Sequence, residues 1–162
     1  MSRISLPCCR AEVSPAQVPL TPASRMRVVE GPGWRLAVEA ERQHWPVLIG
    51  GEGWAAEFTW REAALLRRCV LQLVGQLEGI ADQLMADEAI TLEVETPCPP
   101  GSLWVELEGH RAAWRLRFVL APADGSRGLE GSWSEQASGP LVAALTHCEV
   151  LQRERGEVGP AR

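Results

Sequence analysis

Apolar and polar residues alternate along two early segments of the chain, which is the pattern of strands with one buried face. The first segment, MRVVEGPGWRLAVEAE (residues 26–41), contains a Gly-Pro-Gly turn between two such runs. The second, PVLIGGEGWAAEFT (residues 46–59), contains a glycine-rich turn between two more. The in-phase apolar residues are Trp34, Leu36, Val38, Ala40, Trp54, Ala56 and Phe58. The two segments therefore predict four strands.

The period changes to that of a helix after residue 59. Thr59 and Glu62 have the spacing of a capping box, in which each side chain accepts a hydrogen bond from the other residue's backbone N–H. Apolar residues then recur every three or four positions, at Leu66, Val70, Leu73, Leu77, Ile80 and Leu84. This stripe predicts a helix over residues 60–87 that packs on a sheet or a partner. Gly75 and Gly79, inside this helix, either mark a close approach to another element or have no role.

The second half returns to a period of two and predicts four more strands, followed by a helix over residues 138–151. The links between neighbouring strands are too short for parallel crossovers, so the sheets are predicted to be antiparallel. The apolar phases are Ile90, Leu92, Val94, Leu103, Val105, Leu107, Trp114, Leu116, Phe118, Leu120, Leu129, Gly131 and Trp133. The predicted fold class is α+β, a tandem repeat of a four-stranded antiparallel sheet plus a helix.

A single domain over residues 26–151 is predicted. Residues 1–25 carry four prolines and no periodic pattern, so they are interpreted as a disordered leader or as residues upstream of a true start at Met26. Residues 152–162 are charged and contain Gly and Pro, which predicts a disordered tail. No apolar run approaches the roughly 20 residues of a membrane helix. An odd number of cysteines without a secretory signal favours a reducing compartment, so the predicted localisation is cytoplasmic.

The predicted domain is acidic. The whole chain contains 16 Arg, no Lys and no Tyr, and has a formal net charge of −5. Residues 26–151 contain 10 Arg against 18 Asp and Glu, a net charge of −8. Because Arg replaces Lys throughout, an arginine in this chain is weak evidence for recognition of phosphate or carboxylate groups. Binding to nucleic acid, which is mainly electrostatic, is therefore disfavoured.

The stretch LWVELEGHRAAWRLRFVLA, residues 103–121, interleaves arginines with aromatic rings, as single-strand binders do. However, its apolar residues fall in one phase, so Trp114 and Phe118 are predicted to face the core. A two-residue turn at residues 110–111 brings the apolar faces together and fixes a register. The predicted pairs are Leu107 with Trp114, Val105 with Leu116, Glu106 with Arg115, and Trp104 with Arg117. This stretch is thus interpreted mostly as a solvated sheet face over a core.

Motifs for catalysis or metal binding are weak. The five cysteines form no CxxC pair, so no metal site is predicted, and Cys69 is interpreted as a core residue. The glycine-rich GGEGWA leads into a strand rather than a helix, which favours a turn over a phosphate loop. His44, His110 and His147 lie near turns or ends, without a Ser or Asp constellation. The protein is therefore predicted not to be an enzyme and to use no cofactor.

A series of motifs resembles a known family. EGPGWRL, LIGGEGWAAEFT, a long Leu-rich helix, LWVELEG and LEGSW follow one another over residues 30–151. In this order they resemble a small cyanobacterial family of proteins of unknown function. The resemblance implies a Whirly-like fold, the class of single-stranded-DNA-binding transcriptional regulators, and a start near Met26. It implies no catalytic or binding residues, and fold alone does not fix function.

Three hypotheses about function follow. The leading one is a non-catalytic module that binds a protein or a small ligand, with no membrane partner. The alternative, from fold analogy, is single-stranded nucleic acid binding or transcriptional regulation, and the third is an enzyme. Tryptophans outside the apolar phases suit a partner surface. The candidate binding residues are Trp45, Trp60, Trp104, Arg115 and Arg117.

Overall fold

A computed structural model describes residues 26–155, with side chains described through residue 152. The first four strands are β1 (Met26–Gly31), β2 (Trp34–Glu39), β3 (Val47–Gly51) and β4 (Trp54–Phe58). They form an antiparallel sheet, sheet A, in the order β1-β2-β3-β4. Pro32 and Gly33 make the turn between β1 and β2, and Gly33 adopts a φ of 74° that favours glycine.

Helix α1 (Trp60–Ile80) follows β4 directly. The predicted capping box is confirmed: Glu62 N donates to Thr59 Oγ1 at 3.2 Å, and Thr59 N donates to the Glu62 carboxylate at 2.8 Å. The predicted stripe is buried from Leu66 to Leu77. A short 3-10 helix, η1 (Ala81–Gln83), follows α1.

The second half repeats the unit. Strands β5 (Ile90–Cys98), β6 (Gly101–His110), β7 (Ala113–Ala121) and β8 (Leu129–Trp133) form a second antiparallel sheet, sheet B, in chain order. Helix α2 (Glu135–His147) and a 3-10 helix, η2 (Glu149–Arg155), complete the described part. The α+β class and the repeated four-stranded unit are therefore confirmed. Predictions for residues 1–25 and 156–162 lie outside the described residues, and η2 ends four residues past the predicted domain limit.

Helix α1 packs mainly on sheet B, and α2 contacts both sheets. Helix α1 packs on β5 and β6, whereas α2 packs on β7 and β2. A ring cluster of Trp54, Phe58, Phe118 and Trp133 lies where the sheets meet, with centroid distances of 5.2–5.7 Å. Trp54 Nε1 of sheet A donates to Ser132 O at 3.1 Å, and Trp133 Nε1 of sheet B donates to Gly50 O at 2.9 Å. These reciprocal hydrogen bonds join the two repeats.

The predicted β6–β7 register is wrong by two residues. Leu107 pairs with Leu116 and Glu108 with Arg115, because the turn lies at residues 111–112 instead of 110–111. A shift of two leaves every side chain on its predicted face, since strands have a period of two. Glu106 therefore lies opposite Arg117, whereas Arg115 forms its ion pair with Glu108.

Both helices end earlier than predicted. Helix α1 stops at Ile80, and Leu84 has an extended conformation (φ −88°, ψ 139°). The helix ends where residues 81–83 tighten into η1, after which the chain continues in an extended conformation. Helix α2 occupies Glu135–His147 instead of 138–151 because Cys148, at ψ 85°, leaves the helical conformation.

The close approach considered for Gly75 and Gly79 is not present among residues 26–155. Both residues are exposed, and no atom lies within 4 Å of a Cβ built at either position, outside the helix's own nearby backbone. Close approaches occur at other glycines, among them Gly131, where a Cβ would lie 2.5 Å from Trp54 and 2.7 Å from Phe118.

Candidate functional site

Strand β1 is an exposed edge of sheet A. Within the described residues it pairs only with β2, so the N–H and C=O groups of every second residue point away from the sheet. Its apolar side chains are unusually accessible: Met26 is 48%, Val28 40% and Val29 51% exposed. Edge strands commonly carry charges or bulges that prevent pairing with another chain. Strand β1 also carries the charged residues Arg27 and Glu30, but its three exposed apolar side chains are unusual for an edge strand.

An apolar groove of about 510 Å³ lies beside β1, between the core-facing side of sheet A and helix α2. Its sheet side consists of Val29, Trp34, Leu36 and Val38, and its helix side of Pro140, Ala143, Ala144, Cys148 and Val150. Arg27, Val28, His147 and Glu149 complete the lining. The Pro32–Gly33 turn sets Val29 opposite Leu36, which places Val29 on the groove side of the strand. The groove and the free strand edge are thus continuous.

This arrangement suits an extended peptide. A segment that pairs with β1 as a fifth strand would direct every second side chain to the groove side. Backbone hydrogen bonds to β1 would supply affinity, and the groove would select apolar side chains. The surface is therefore competent for peptide binding by strand addition.

Three of the predicted site residues lie together on the outer face of sheet B. Arg115 forms an ion pair with Glu108 at 2.5 Å, and Arg117 forms one with Glu130 at 2.6 Å. The hydrogen bonds that Arg115 donates to the Glu108 carboxylate, together with the negative charge of that carboxylate, raise the pKa of Arg115. Trp104 Nε1 donates to Glu93 at 3.3 Å, and the Arg117 guanidinium lies 5.8 Å from the Trp104 ring centroid. The predicted Trp104–Arg117 contact thus occurs, although Trp104 lies opposite Val119 in the register.

Trp45 and Trp60 lie elsewhere, near the start of α1. The Arg127 guanidinium stacks 3.9 Å from the Trp45 ring centroid and forms a 2.6 Å ion pair with Glu62 of the capping box. Trp60 is partly buried against the hydrophobic core. These contacts fasten the loop before β3 and the loop before β8 to the helix end. The structure therefore does not bring the five predicted site residues into one site.

Sequence reasoning missed the groove because its two sides are distant in the chain. Strand β1 has only six residues, and its exposed valines read as an ordinary half-buried strand. A signal was nevertheless present in PLVAALTHCEVL, residues 140–151, which is apolar nearly all round the helix. Leu141 and Leu145 already cover the core, so its remaining apolar positions must face a second surface.

Chemistry-bearing clusters are sparse in the part of the chain that the structure describes. No group of three or more His, Cys, Asp or Glu side chains there is arranged to hold a metal ion. Burial raises the pKa of the Cys98 thiol, and the nearby Glu62 raises it further. Cys69 is buried, as predicted for a core residue. None of the described helices is both long and apolar enough to cross a membrane.

Comparisons with known proteins agree with this architecture. The fold is an α+β arrangement with a repeated four-stranded unit. The chain belongs to a family described as a domain of unknown function (DUF1818), whose model matches residues 29–148. The match begins within β1 and ends directly after α2, so it includes most of the groove.

A similar solved structure is that of a protein with unknown function from the DUF155 family of Prochlorococcus sp. NATL2A. Its sequence is 36% identical, the match covers 75% of this chain and 97% of that chain, and the TM-score is 0.66. A search of curated proteins finds no match.

Proposed function

We propose that this protein is a non-catalytic binding module whose ligand is an extended segment of another protein, added to the outer edge of β1. The observation that carries the proposal is the continuity between the exposed apolar edge strand and the groove beside it. Every second side chain along a six-residue strand gives three that face the groove. Each apolar side chain buried there contributes about 1.5–3 kcal/mol before the costs of association.

The charge of the molecule favours a protein ligand over a nucleic acid strand. The outer face of sheet B carries five glutamates and only two arginines, Arg115 and Arg117. The glutamates of this face are Glu93, Glu95, Glu106, Glu108 and Glu130. A phosphate backbone would be repelled there, and both arginines already have carboxylate partners. The apolar groove presents no such barrier to a peptide.

We further propose that the protein has a Whirly-like fold, which the repeated unit of a four-stranded sheet and a helix supports. We also propose that it comes from a cyanobacterium and is located in the cytoplasm. Single-strand binding, the function suggested by that fold analogy, rests on the fold and not on a site in this chain.

Ligands are first selected from a displayed library of random nonapeptides. The affinity of one selected synthetic peptide is then measured for the wild type and for variants of the groove. We expect the selected peptides to alternate apolar and polar residues. Val29→Arg and Ala144→Arg place a charge on the two sides of the groove, and each should weaken binding by about tenfold or more. Met85→Arg is the matched control, because Met85 is an apolar residue 71% exposed that does not line the groove. It should bind the peptide as the wild type does.

Hydrogen–deuterium exchange locates the bound peptide. Added peptide should protect residues 26–31, since a new strand would cover the free edge of β1. Failure to enrich any peptide, or protection confined to sheet B, would contradict the proposal.

Dimerisation in light scattering that Val29→Arg abolishes would show that a second copy occupies the edge instead. If deletion of residues 1–25 increases exchange at residues 26–31 in the free protein, the edge is covered by the chain's own leader, and the proposal fails.

A further inference from the structure

A second cavity, of about 820 Å³, lies between helix α1, the end of β5 and the chain after α2. It shares no lining residue with the groove beside β1. Three arginines, Arg61, Arg67 and Arg68, line it, and no aspartate or glutamate is among the lining residues whose side chains the structure describes. We propose that this cleft binds a small organic anion that combines an apolar body with phosphate or carboxylate groups.

The charge of the cleft is unusual for this molecule. Among the ten arginines whose side chains the structure describes, five form ion pairs: Arg35, Arg42, Arg115, Arg117 and Arg127. Three of the remaining five line this cleft. Among the described residues, most of the arginines without an ion pair therefore lie at one place, and such a concentration of positive charge attracts anions.

The three arginines differ in the groups that they contact. Arg67 Nε donates to Leu145 O at 2.7 Å and its Nη2 to Thr146 O at 3.4 Å, so this side chain joins α1 to the end of α2. Arg61 and Arg68 are exposed and have no carboxylate within ion-pair distance among the described residues. Seven residues separate them, so they lie on one face of α1 about 10 Å apart. Their guanidinium groups are free to bind acidic groups bidentately.

The rest of the lining determines the body of the ligand. Ala64 and Leu71 of α1, with Pro97, supply accessible apolar surface between the arginines, and Leu65 and Leu151 are buried behind it. Gln152 donates to Thr146 O at 2.8 Å, which holds the far wall in place. Inorganic phosphate alone would leave this apolar surface uncovered. An anion with an aromatic or aliphatic body would cover it, which is why the proposal requires both parts.

The test titrates the full-length protein with matched naphthalene compounds by calorimetry. The probes are 2-naphthyl phosphate, 2-naphthoate, the neutral 2-naphthalenemethanol and inorganic phosphate. We expect at least one of the two naphthyl anions to bind about tenfold or more tightly than both the neutral alcohol and inorganic phosphate. The naphthyl anion that binds more tightly shows whether the cleft prefers a phosphate or a carboxylate group. Equal affinity for anion and alcohol would overturn the proposal.

Variants and amide chemical shifts then locate the ligand. The double variant Arg61→Gln/Arg68→Gln should lose about tenfold or more of the affinity for the anion. Arg35→Gln/Arg111→Gln is the charge-matched control, because it also removes two positive charges and neither arginine is among the described lining residues of the cleft or of the groove beside β1; it should bind the anion as the wild type does. Undiminished binding to the double variant, or shifts confined to β1 and α2, would overturn the assignment to this cleft. A single-stranded oligonucleotide that displaces the bound anion when it is present at a lower concentration than the anion would also overturn the proposal. The cleft would then be a nucleic acid site.

Discussion

At the scale of single residues, the space around a glycine determines whether a larger side chain is tolerated at that position. Gly131 is buried in β8, and a Cβ there would lie 2.5–2.6 Å from Trp54 and 2.7 Å from Phe118. Gly131→Ala should therefore destabilise the protein by about 1–3 kcal/mol, the usual effect of overpacking a core. Urea denaturation measures this change.

Gly139→Ala is the control for that substitution. Gly139 is exposed on α2, and no atom lies within 4 Å of a Cβ at this position, outside the helix's own nearby backbone. It should not lower the free energy of unfolding. Equal stability of Gly131→Ala and the wild type would mean that the ring cluster is looser than the structure shows.

Gly75 and Gly79 illustrate the opposite case. Both lie on the exposed side of α1 with open space around them. Because glycine is about 1 kcal/mol less favourable than alanine inside a helix, Gly75→Ala and Gly79→Ala should each raise the free energy of unfolding by up to that amount. Thermal denaturation of both single variants and of the double variant measures the gain. A loss of stability would indicate a contact of α1 with an element outside residues 26–155.

At the scale of elements, the buried stripe of α1 holds the helix on sheet B. Leu73 is fully buried and Leu77 is 3% exposed. Replacement of either by alanine should destabilise the protein by about 2–5 kcal/mol, as for other buried leucines. Gln76→Ala, on the exposed side of the same turn, should change stability by less than about 0.5 kcal/mol. A similar small effect for Leu73→Ala would show that this helix does not face the core.

Most elements were predictable because their periodicity reflects which side is buried. The capping box at Thr59 and Glu62 fixed the start of α1, and the apolar phases predicted for β2, β4 and β5–β8 matched the core-facing sides of those strands. The β6–β7 register was not predictable, since residues 110–111 and 111–112 both satisfy the same parity. The end of α1 was not predictable from the apolar stripe either, because Ile80 and Leu84 continue its spacing, whereas residues 81–83 form a 3-10 helix and Leu84 is extended. Neither error could be corrected from the periodicity of one element.

The candidate surfaces were less predictable than the fold. Trp45 and Trp104 were selected because they lie outside the apolar phases, and the structure places each against an arginine of its own chain. The β1 groove and the arginine cleft are each assembled from elements that are far apart in sequence. A sequence pattern describes one element at a time, so a cavity between two such elements leaves only the indirect signal of a helix that is apolar on more than one side.

At the scale of the whole molecule, two tryptophans join the repeats. Trp133 is buried and donates to Gly50 O, whereas Trp54 is partly exposed and donates to Ser132 O. Trp133→Phe would leave the Gly50 carbonyl without its donor and should destabilise the protein by about 1–3 kcal/mol or more. Trp54→Phe should have a smaller effect.

A double-mutant cycle measured by denaturation should give a coupling of about 0.5–3 kcal/mol, because the two rings are in contact. Additive effects would mean that the two hydrogen bonds act independently.

The charge of the whole molecule leads to the last prediction, which concerns single-stranded DNA. Residues 26–151 carry a net charge of −8, and five of their ten arginines are already neutralised by ion pairs. Single-strand binders combine a positive groove with exposed rings, but here Trp133 and Phe118 are buried in the core. We therefore expect weak or no binding of a labelled oligonucleotide at about 0.15 M salt, measured by fluorescence anisotropy.

Any residual binding at low salt should involve the unpaired Arg61 and Arg68 and should disappear steeply as salt rises, because contacts with phosphates release counterions. Arg61→Gln/Arg68→Gln should then abolish it. Arg115→Glu should leave it unchanged, since Arg115 is already paired with Glu108 on an acidic sheet face. Sub-micromolar affinity that persists at about 0.15 M salt and is lost in Arg115→Glu would reverse this conclusion. The outer face of sheet B would then be a nucleic acid surface, and its ion pairs would be contacts that the strand displaces.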